Sequence, residues 1–233
     1  MMKLTKIAAI VAIASASFTS THAVAELSAN VAATSNYLWR GMEQTGGDAA
    51  ISGGIDYSHE SGFYAGTWAS NATWGMGEDS NGNPVDGEME TELDLYFGYS
   101  VGDLDVGFVY FAYPDANDAA IGNNPDFSEI YLSYSLGDLS LGFAVLADAD
   151  GADFGDSIYL SADYAVEVGN GAELAFHAGM YDGDFVGEDS QIDLGVSISK
   201  DSFTFGASKM ASDDNGIDDD LKVYVSYALD FEL

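Results

Sequence analysis

The chain has 233 residues, of which 39 are acidic and only six are basic, so its net charge is −33, and it contains no cysteine. So acidic a chain lacks the basic surface that nucleic-acid partners require, and it has no disulfides to stabilise an exported fold. Its aromatic content of 13% and its three prolines are typical of a strand-rich protein rather than of a disordered acidic one. The acidity has two interpretations, one functional and the other an adaptation to a saline habitat.

Residues 1–25 have the pattern of a secretory signal peptide. Two lysines open the segment, a short apolar run follows, and Ala23 and Ala25 form an A-x-A cleavage pattern. We expect cleavage after Ala25, which leaves residues 26–233 as one domain with four basic and all 39 acidic residues, a net charge of −35. No later run reaches the roughly 18 apolar residues that a membrane-spanning helix needs.

The rest of the chain is divided into about twelve segments that alternate apolar and polar residues. Such a period of two gives a β-strand one apolar and one polar face. In segment 92–100, for example, Leu93, Leu95 and Phe97 share one face, whereas Asp94 lies on the other. The predicted strands are 27–40, 48–58, 63–74, 91–100, 104–113, 127–136, 139–147, 157–166, 173–181, 191–199, 202–210 and 220–232.

The connections between these strands alternate between short turns and longer acidic loops. Short turns at one end and long loops at the other are typical of outer-membrane barrels, which place lipid outside and water inside. We therefore predict an all-β fold, a transmembrane antiparallel β-barrel of about 12 strands with both termini periplasmic. A soluble β-sandwich is the alternative, but it gives no reason for aromatic residues at both rims, where the pattern places Tyr57, Tyr64, Tyr99, Tyr134, Tyr164, Phe203, Phe231, Trp39, Trp74 and Tyr110.

Residues 34–71 resemble the opening of a known bacterial family. The segments that carry the resemblance are Thr34 to Gly41, Gln44, Gly53 to Tyr57, and Gly62 to Asn71. They are similar to the TorF family of proposed porins, also known as Gcw_chp, a bacterial domain of unknown function. The resemblance implies a barrel in the outer membrane of a Gram-negative bacterium, and it brings no established site residues. The chain departs from the usual outer-membrane ending in Phe or Trp, because it finishes Phe231-Glu232-Leu233.

The inward face of the predicted strands carries many acids and few bases, which favours cations in a pore. We therefore predict a porin-like channel for passive diffusion of small solutes, with a preference for cations. The pore-lining candidates are Arg40, Lys222, Glu92, Asp94, Glu129, Asp193 and His177. Arg40 and Lys222 are expected at the same rim on the first and last strands, where barrel closure would bring them together. Alternatively, Arg40 pairs with an acid and holds loop 41–47 in place.

Two other classes of function remain open from the sequence. Bulky inward residues would narrow the lumen, so a non-conducting barrel whose acidic loops bind calcium, lipopolysaccharide or a partner is one alternative. The loop candidates for calcium are Asp148, Asp150, Asp153 and Asp156, although they do not form a twelve-residue EF-type loop. An outer-membrane hydrolase is the other, and it requires a serine facing His177 from a neighbouring strand. We expect no enzymatic activity and no cofactor. The expected partners are membrane lipid and small solutes or cations, and the sequence leaves the oligomeric state open.

Overall fold

The computed structural model of the protein describes residues 25–74, 89–116, 124–183, 190–211 and 218–233. The predicted signal peptide up to residue 24, most of loop 75–90 and residues 212–217 lie outside these ranges. In the described part of the chain, no helix is long and apolar enough to cross a membrane.

The described residues form fourteen strands. They are β1 (Glu26–Thr34), β2 (Leu38–Trp39), β3 (Met42–Glu43), β4 (Ala50–Ser58), β5 (Phe63–Trp74), β6 (Met89–Val101), β7 (Leu104–Ala112), β8 (Phe127–Leu136), β9 (Leu139–Ala149), β10 (Ser157–Gly169), β11 (Ala172–Gly183), β12 (Gln191–Lys200), β13 (Phe203–Ala211) and β14 (Lys222–Glu232). Twelve of them close into one antiparallel barrel, and β2 and β3 form a separate two-stranded hairpin.

The barrel closes between its first and last strands. β1 pairs with β4 on one side and with β14 on the other, with Val31 opposite Gly53 and Leu229. The predicted all-β barrel of 12 antiparallel strands is therefore confirmed, whereas the periplasmic position of the termini stays a prediction. We call the two ends of the barrel the short-turn end, which carries turns such as 102–103, and the long-loop end, which carries connections such as 150–156.

The two faces of the wall differ in polarity along each strand. On β12, Ile192, Leu194 and Val196 are exposed on the outer surface, whereas Gln191 and Asp193 are buried inside. The same alternation recurs around the ring, so the outside of the barrel is an apolar surface and the inside is largely polar. So large an exposed apolar surface is unusual for a soluble monomer and is typical of a surface that faces lipid.

Three sequence-based predictions need correction. The first strand ends at Thr34 rather than at residue 40, because the chain turns inward there. Trp39 is therefore inside the barrel against Phe111, not on an outer aromatic rim. Tyr64 also points inward, only 3% exposed, and its neighbour Phe63 takes the outer position.

The interior at the long-loop end is a small apolar core. Its buried members lie on β6 to β9 and the segments that follow them, and Trp39 packs against them from the hairpin. The buried residues are Met89, Val109, Phe111, Tyr113, Phe127 and Leu146. Twelve strands about 4.8 Å apart and tilted by about 40° form a ring about 12 Å in backbone radius, so one hairpin with its side chains can occupy the interior.

Candidate functional site: a hairpin across the lumen

Residues 35–47, here called the lumen hairpin, leave the wall after β1 and return to it at β4. Trp39 pairs with Met42 around a two-residue turn made by Arg40 and Gly41. Both turn residues have positive φ, 49° and 80°, as a type I′ hairpin turn requires. Glycine adopts this conformation freely, but arginine does so at a cost of order 1 kcal/mol, so contacts made by its side chain must hold it there.

Arg40 makes those contacts on the far side of the barrel. Its Nη1 and Nη2 atoms donate to Oε1 and Oε2 of Glu129 at 2.8 and 2.6 Å, which makes a bidentate ion pair. Both side chains are nearly buried. Glu129 lies on β8, and β9 beside it is the sixth strand from β1 in either direction around the ring. The lumen hairpin therefore spans the interior from one wall to the opposite one.

Three aromatic rings surround the same guanidinium. The Arg40 Cζ atom lies 4.3 Å from the ring centroids of Trp39 and Tyr159 and 4.7 Å from that of Tyr181. We call Glu129, Tyr159 and Tyr181 the arginine pocket, since all three belong to the wall. Burial alone would lower the pKa of Arg40, but the Glu129 carboxylate offsets this and leaves the pKa raised, so the guanidinium stays charged.

The base of the hairpin is held by a second set of contacts. Tyr37 packs edge-on to Trp68, with ring centroids 5.5 Å apart, and its hydroxyl donates to the Glu92 carboxylate at 3.1 and 3.3 Å. Burial raises the pKa of Tyr37 well above its ordinary value, and Glu92 raises it further, so the phenol remains a donor. Asp94 is also buried beside Glu92, and its Oδ1 atom has no hydrogen-bond partner in the described structure.

Lys222 lies at the closing seam and not at the arginine pocket. Its ammonium group donates a hydrogen bond to the Asp218 carboxylate and lies 3.9 Å from that of Glu43 in the lumen hairpin. Donation by Lys222 lowers the pKa of the Asp218 carboxyl. Arg40 instead reaches the opposite wall, so the expected meeting of the two bases at the seam is wrong, and the alternative, an ion pair that holds the loop, describes the structure.

A histidine between two carboxylates lies next to the arginine pocket. His177 Nδ1 is 2.7 Å from Asp163 Oδ1, and Nε2 is 2.7 Å from Asp193 Oδ1. A neutral imidazole has only one N–H, so donation to both carboxylates requires the imidazolium form. The Tyr159 hydroxyl donates to Asp193 Oδ2 at 3.1 Å, which links this cluster to the ring that covers Arg40.

This arrangement leaves His177 poorly placed to serve as a general base. The residues directly opposite it on neighbouring strands are Asp163 and Gly195, not a serine. Both ring nitrogens already face carboxylate oxygens. A histidine base needs one free nitrogen that accepts the proton of a nucleophile.

Other tyrosine rings on the inner face lie flat against the wall. Tyr96 is paired with Gly66 on the next strand, and Tyr224 with Gly206, and in each case a β-carbon on the glycine would overlap the ring. Tyr64 donates to Asp105 at 2.8 Å. Because these rings lie along the wall, they narrow the lumen less than side chains that project towards its axis.

The seven pore-lining candidates thus separate into three pairs and one residue that lies apart. Arg40 and Glu129 form the ion pair, Asp193 and His177 form the neighbouring cluster, and Glu92 with Asp94 lies at the base of the hairpin, while Lys222 is at the seam. All contact the interior, but their role in lining a conducting pore stays a prediction. The alternation of the sequence places Tyr159 and Tyr181 on the inward face. It does not identify these two wall residues, or Tyr37 within the hairpin, as the residues that hold the hairpin in place.

The proposed calcium loop does not present a converging set of ligands. Asp150 accepts the backbone N–H of Asn124, and Asp156 accepts that of Asp153. Among the residues that the structure describes, no group of three or more His, Asp or Glu side chains is arranged to hold a metal ion. Calcium binding at Asp148 and its neighbours stays a prediction.

The protein is a closed antiparallel barrel with an apolar exterior, and its interior is crossed by a hairpin that the Arg40–Glu129 ion pair holds in place. The chain belongs to the Gcw_chp family, described as bacterial proteins of unknown function, whose model matches residues 16–230. The resemblance seen at residues 34–71 is thus confirmed under that name, while the TorF name is not tested.

Three solved structures match most of the chain at low sequence identity. OmpF from Salmonella typhi in complex with daunomycin has 8% identity and a TM-score of 0.38, and covers 89% of this chain and 97% of its own. LpxR from Salmonella typhimurium has 9% identity and a TM-score of 0.37, covering 88% and 99%. A mutant of Rh. blastica porin has 11% identity and a TM-score of 0.34, with the same coverage of 88% and 99%. A comparison with curated proteins found no match.

Proposed function

We propose that this protein is an outer-membrane channel for small solutes, selective for cations and closed in the present state by the lumen hairpin. The observation that carries the proposal is a polar, acidic interior crossed by a hairpin that shares no ladder with the barrel wall. The apolar outer face supports location in a lipid bilayer, because in water this surface would remain exposed.

The hairpin has the properties of a removable closure. β2 and β3 pair only with each other, so the hairpin can leave without breaking a strand pair of the barrel. At the tip and base it is attached by side-chain contacts of Arg40, Trp39 and Tyr37. Backbone hydrogen bonds from Thr73 to Gln44, at 2.6 Å, and from Ser35 to Val225, at 2.9 Å, add to these. Breaking a few such contacts costs much less than opening the barrel.

Selectivity for cations follows from the charge of the interior. With Arg40 withdrawn, Glu129 joins the inward carboxylates of Asp56, Asp105 and Asp163. Residues 26–233 contain only four basic residues. Rings of carboxylates raise the local concentration of cations and oppose the entry of anions.

A non-conducting barrel is the second candidate, and the packed long-loop end supports it. There Phe111 and Phe127 stack with centroids 4.4 Å apart, and Trp39 packs on both. Such a core resembles the interior of a stable domain more than a mobile gate, and the barrel would then serve to display its loops.

Conductance in planar lipid bilayers separates these candidates. Residues 36–46 are replaced by a short Gly–Ser linker, and a matched control replaces loop residues 150–155 in the same way. We expect the hairpin variant to show at least a tenfold larger single-channel conductance than wild type, with a reversal potential in a salt gradient of the sign for cations. The control should remain like wild type. A folded hairpin variant that does not conduct would establish the non-conducting barrel.

A further inference from the structure

We propose that the arginine pocket is a binding site for a guanidinium group on an external solute, and that Arg40 occupies it as an internal ligand. The substrate class is then organic cations that carry a monosubstituted guanidinium. That binding of such a cation opens the channel rests on the proposed function. The binding step itself depends only on the geometry of the pocket.

The pocket is a property of the barrel wall and persists without the hairpin. Glu129 lies on β8, Tyr159 on β10 and Tyr181 on β11, while Trp39 is the one ring that the hairpin itself contributes. The two tyrosines hold each other edge-on, with centroids 5.9 Å apart and planes at 87°. Hydrogen bonds from Tyr159 to Asp193 further fix its ring. The wall therefore offers a preorganised carboxylate beside two aromatic faces.

This chemistry selects guanidinium over other groups. A carboxylate bonded by two parallel N–H groups matches a planar guanidinium, whereas an ammonium is a point charge that does not reproduce this geometry. Flat aromatic faces favour a weakly hydrated, delocalised cation. Anions are opposed by Glu129 and by the nearby Asp193.

Arg40 is placed as an occupant that can be exchanged. It sits at the tip of a hairpin unpaired with the wall, in a left-handed backbone conformation that favours glycine, and it is the one arginine of the chain. A tethered group acts at an effective concentration of order millimolar or above. A free ligand must compete against that concentration in the wild-type protein, but not in a variant that lacks the Arg40 side chain.

The test measures binding of methylguanidinium by calorimetry to the full barrel folded in detergent micelles. Arg40→Ala should bind it saturably with 1:1 stoichiometry and at least tenfold more tightly than wild type. Methylammonium should bind at least tenfold more weakly, and the neutral analogue methylurea should not bind. Adding Glu129→Gln to Arg40→Ala should reduce the affinity at least tenfold, while adding Lys222→Ala, which removes a different interior cation, should leave it unchanged.

Two outcomes would overturn the proposal: no saturable binding by folded Arg40→Ala, or binding that survives Glu129→Gln. If Arg40→Ala does not fold, Arg40→Lys serves instead, because it keeps the positive charge but loses the bidentate guanidinium. Methylguanidinium should bind this variant more tightly than it binds wild type. Equal affinities would also contradict the site. Because this readout needs no conductance, binding without conduction rejects only the channel, and conduction without binding rejects only the ligand.

Discussion

The lipid-facing surface can be tested with two arginine substitutions on one strand. Ile192 and Val196 are both about two-fifths exposed on the outer face of β12, but Ile192 lies near the long-loop rim and Val196 at the middle of the strand. Four residues at about 3.4 Å each, on a strand tilted by about 40°, separate them by about 10 Å in depth. The apolar band of such a barrel is about 25 Å tall, so Val196 lies near its midplane and Ile192 near its edge.

Arginine costs about 2–4 kcal/mol at the midplane of a membrane barrel and about 0–1 kcal/mol near the interface. Val196→Arg should therefore lower the free energy of unfolding by about 2–3 kcal/mol more than Ile192→Arg, about 30- to 150-fold in the folding equilibrium. Urea titrations of the protein in lipid vesicles measure the difference, with folded barrel followed by its altered mobility on unheated gels. Ile192→Ala and Val196→Ala control for the loss of the native side chains. Equal costs for the two arginines would show that this face does not lie in hydrocarbon.

Three further predictions concern the interior and the orientation. Gly206→Val should destabilise the barrel by about 1–3 kcal/mol, because the new side chain would overlap the Tyr224 ring, and Tyr224→Ala should restore much of the loss in a double-mutant cycle. His177→Gln should lower the melting temperature in detergent, since two aspartates then face each other without a cation, a loss of about 3 kcal/mol, whereas an unchanged melting temperature would contradict the imidazolium assignment. A single cysteine in place of Asp153 should react with an impermeant thiol reagent on intact cells, and one in place of Asp138 should not; the reverse pattern would invert the predicted topology.

Most of the barrel was predictable because the two faces of each strand meet different solvents. Alternation with period two located strand β8, predicted as 127–136 and observed over the same residues. The same alternation predicts too long a first strand. Tyr37 and Trp39 continue the apolar alternation of the sequence past Thr34, but inside the barrel Asn36, Tyr37 and Leu38 are all buried, so there the alternation no longer marks an outer face. A pattern of burial does not distinguish the wall from a segment that crosses the interior.

The partners within the interior were not predictable from pattern. Arg40 and Glu129 are 89 positions apart in the sequence, and their contact depends on the stagger of the strands and on the inward turn at Thr34. For Tyr64 the alternation predicts the wrong face, because Phe63 beside it is also aromatic and either register gives an apolar exterior. The glycine on the neighbouring strand distinguishes the two registers. Gly98 stands opposite Tyr64 and leaves room for its ring on the inner face.

The position of the lumen hairpin also has a mechanical consequence. A ring of strands joined only to their neighbours resists stretching along each ladder, but it can flatten into an ellipse with little change in those hydrogen bonds. The hairpin ties β1 to β8, nearly half a ring away, through the Arg40–Glu129 ion pair. It therefore acts as a strut along one diameter, and the cross-section of the barrel is set by a contact through its centre as well as by the number of strands.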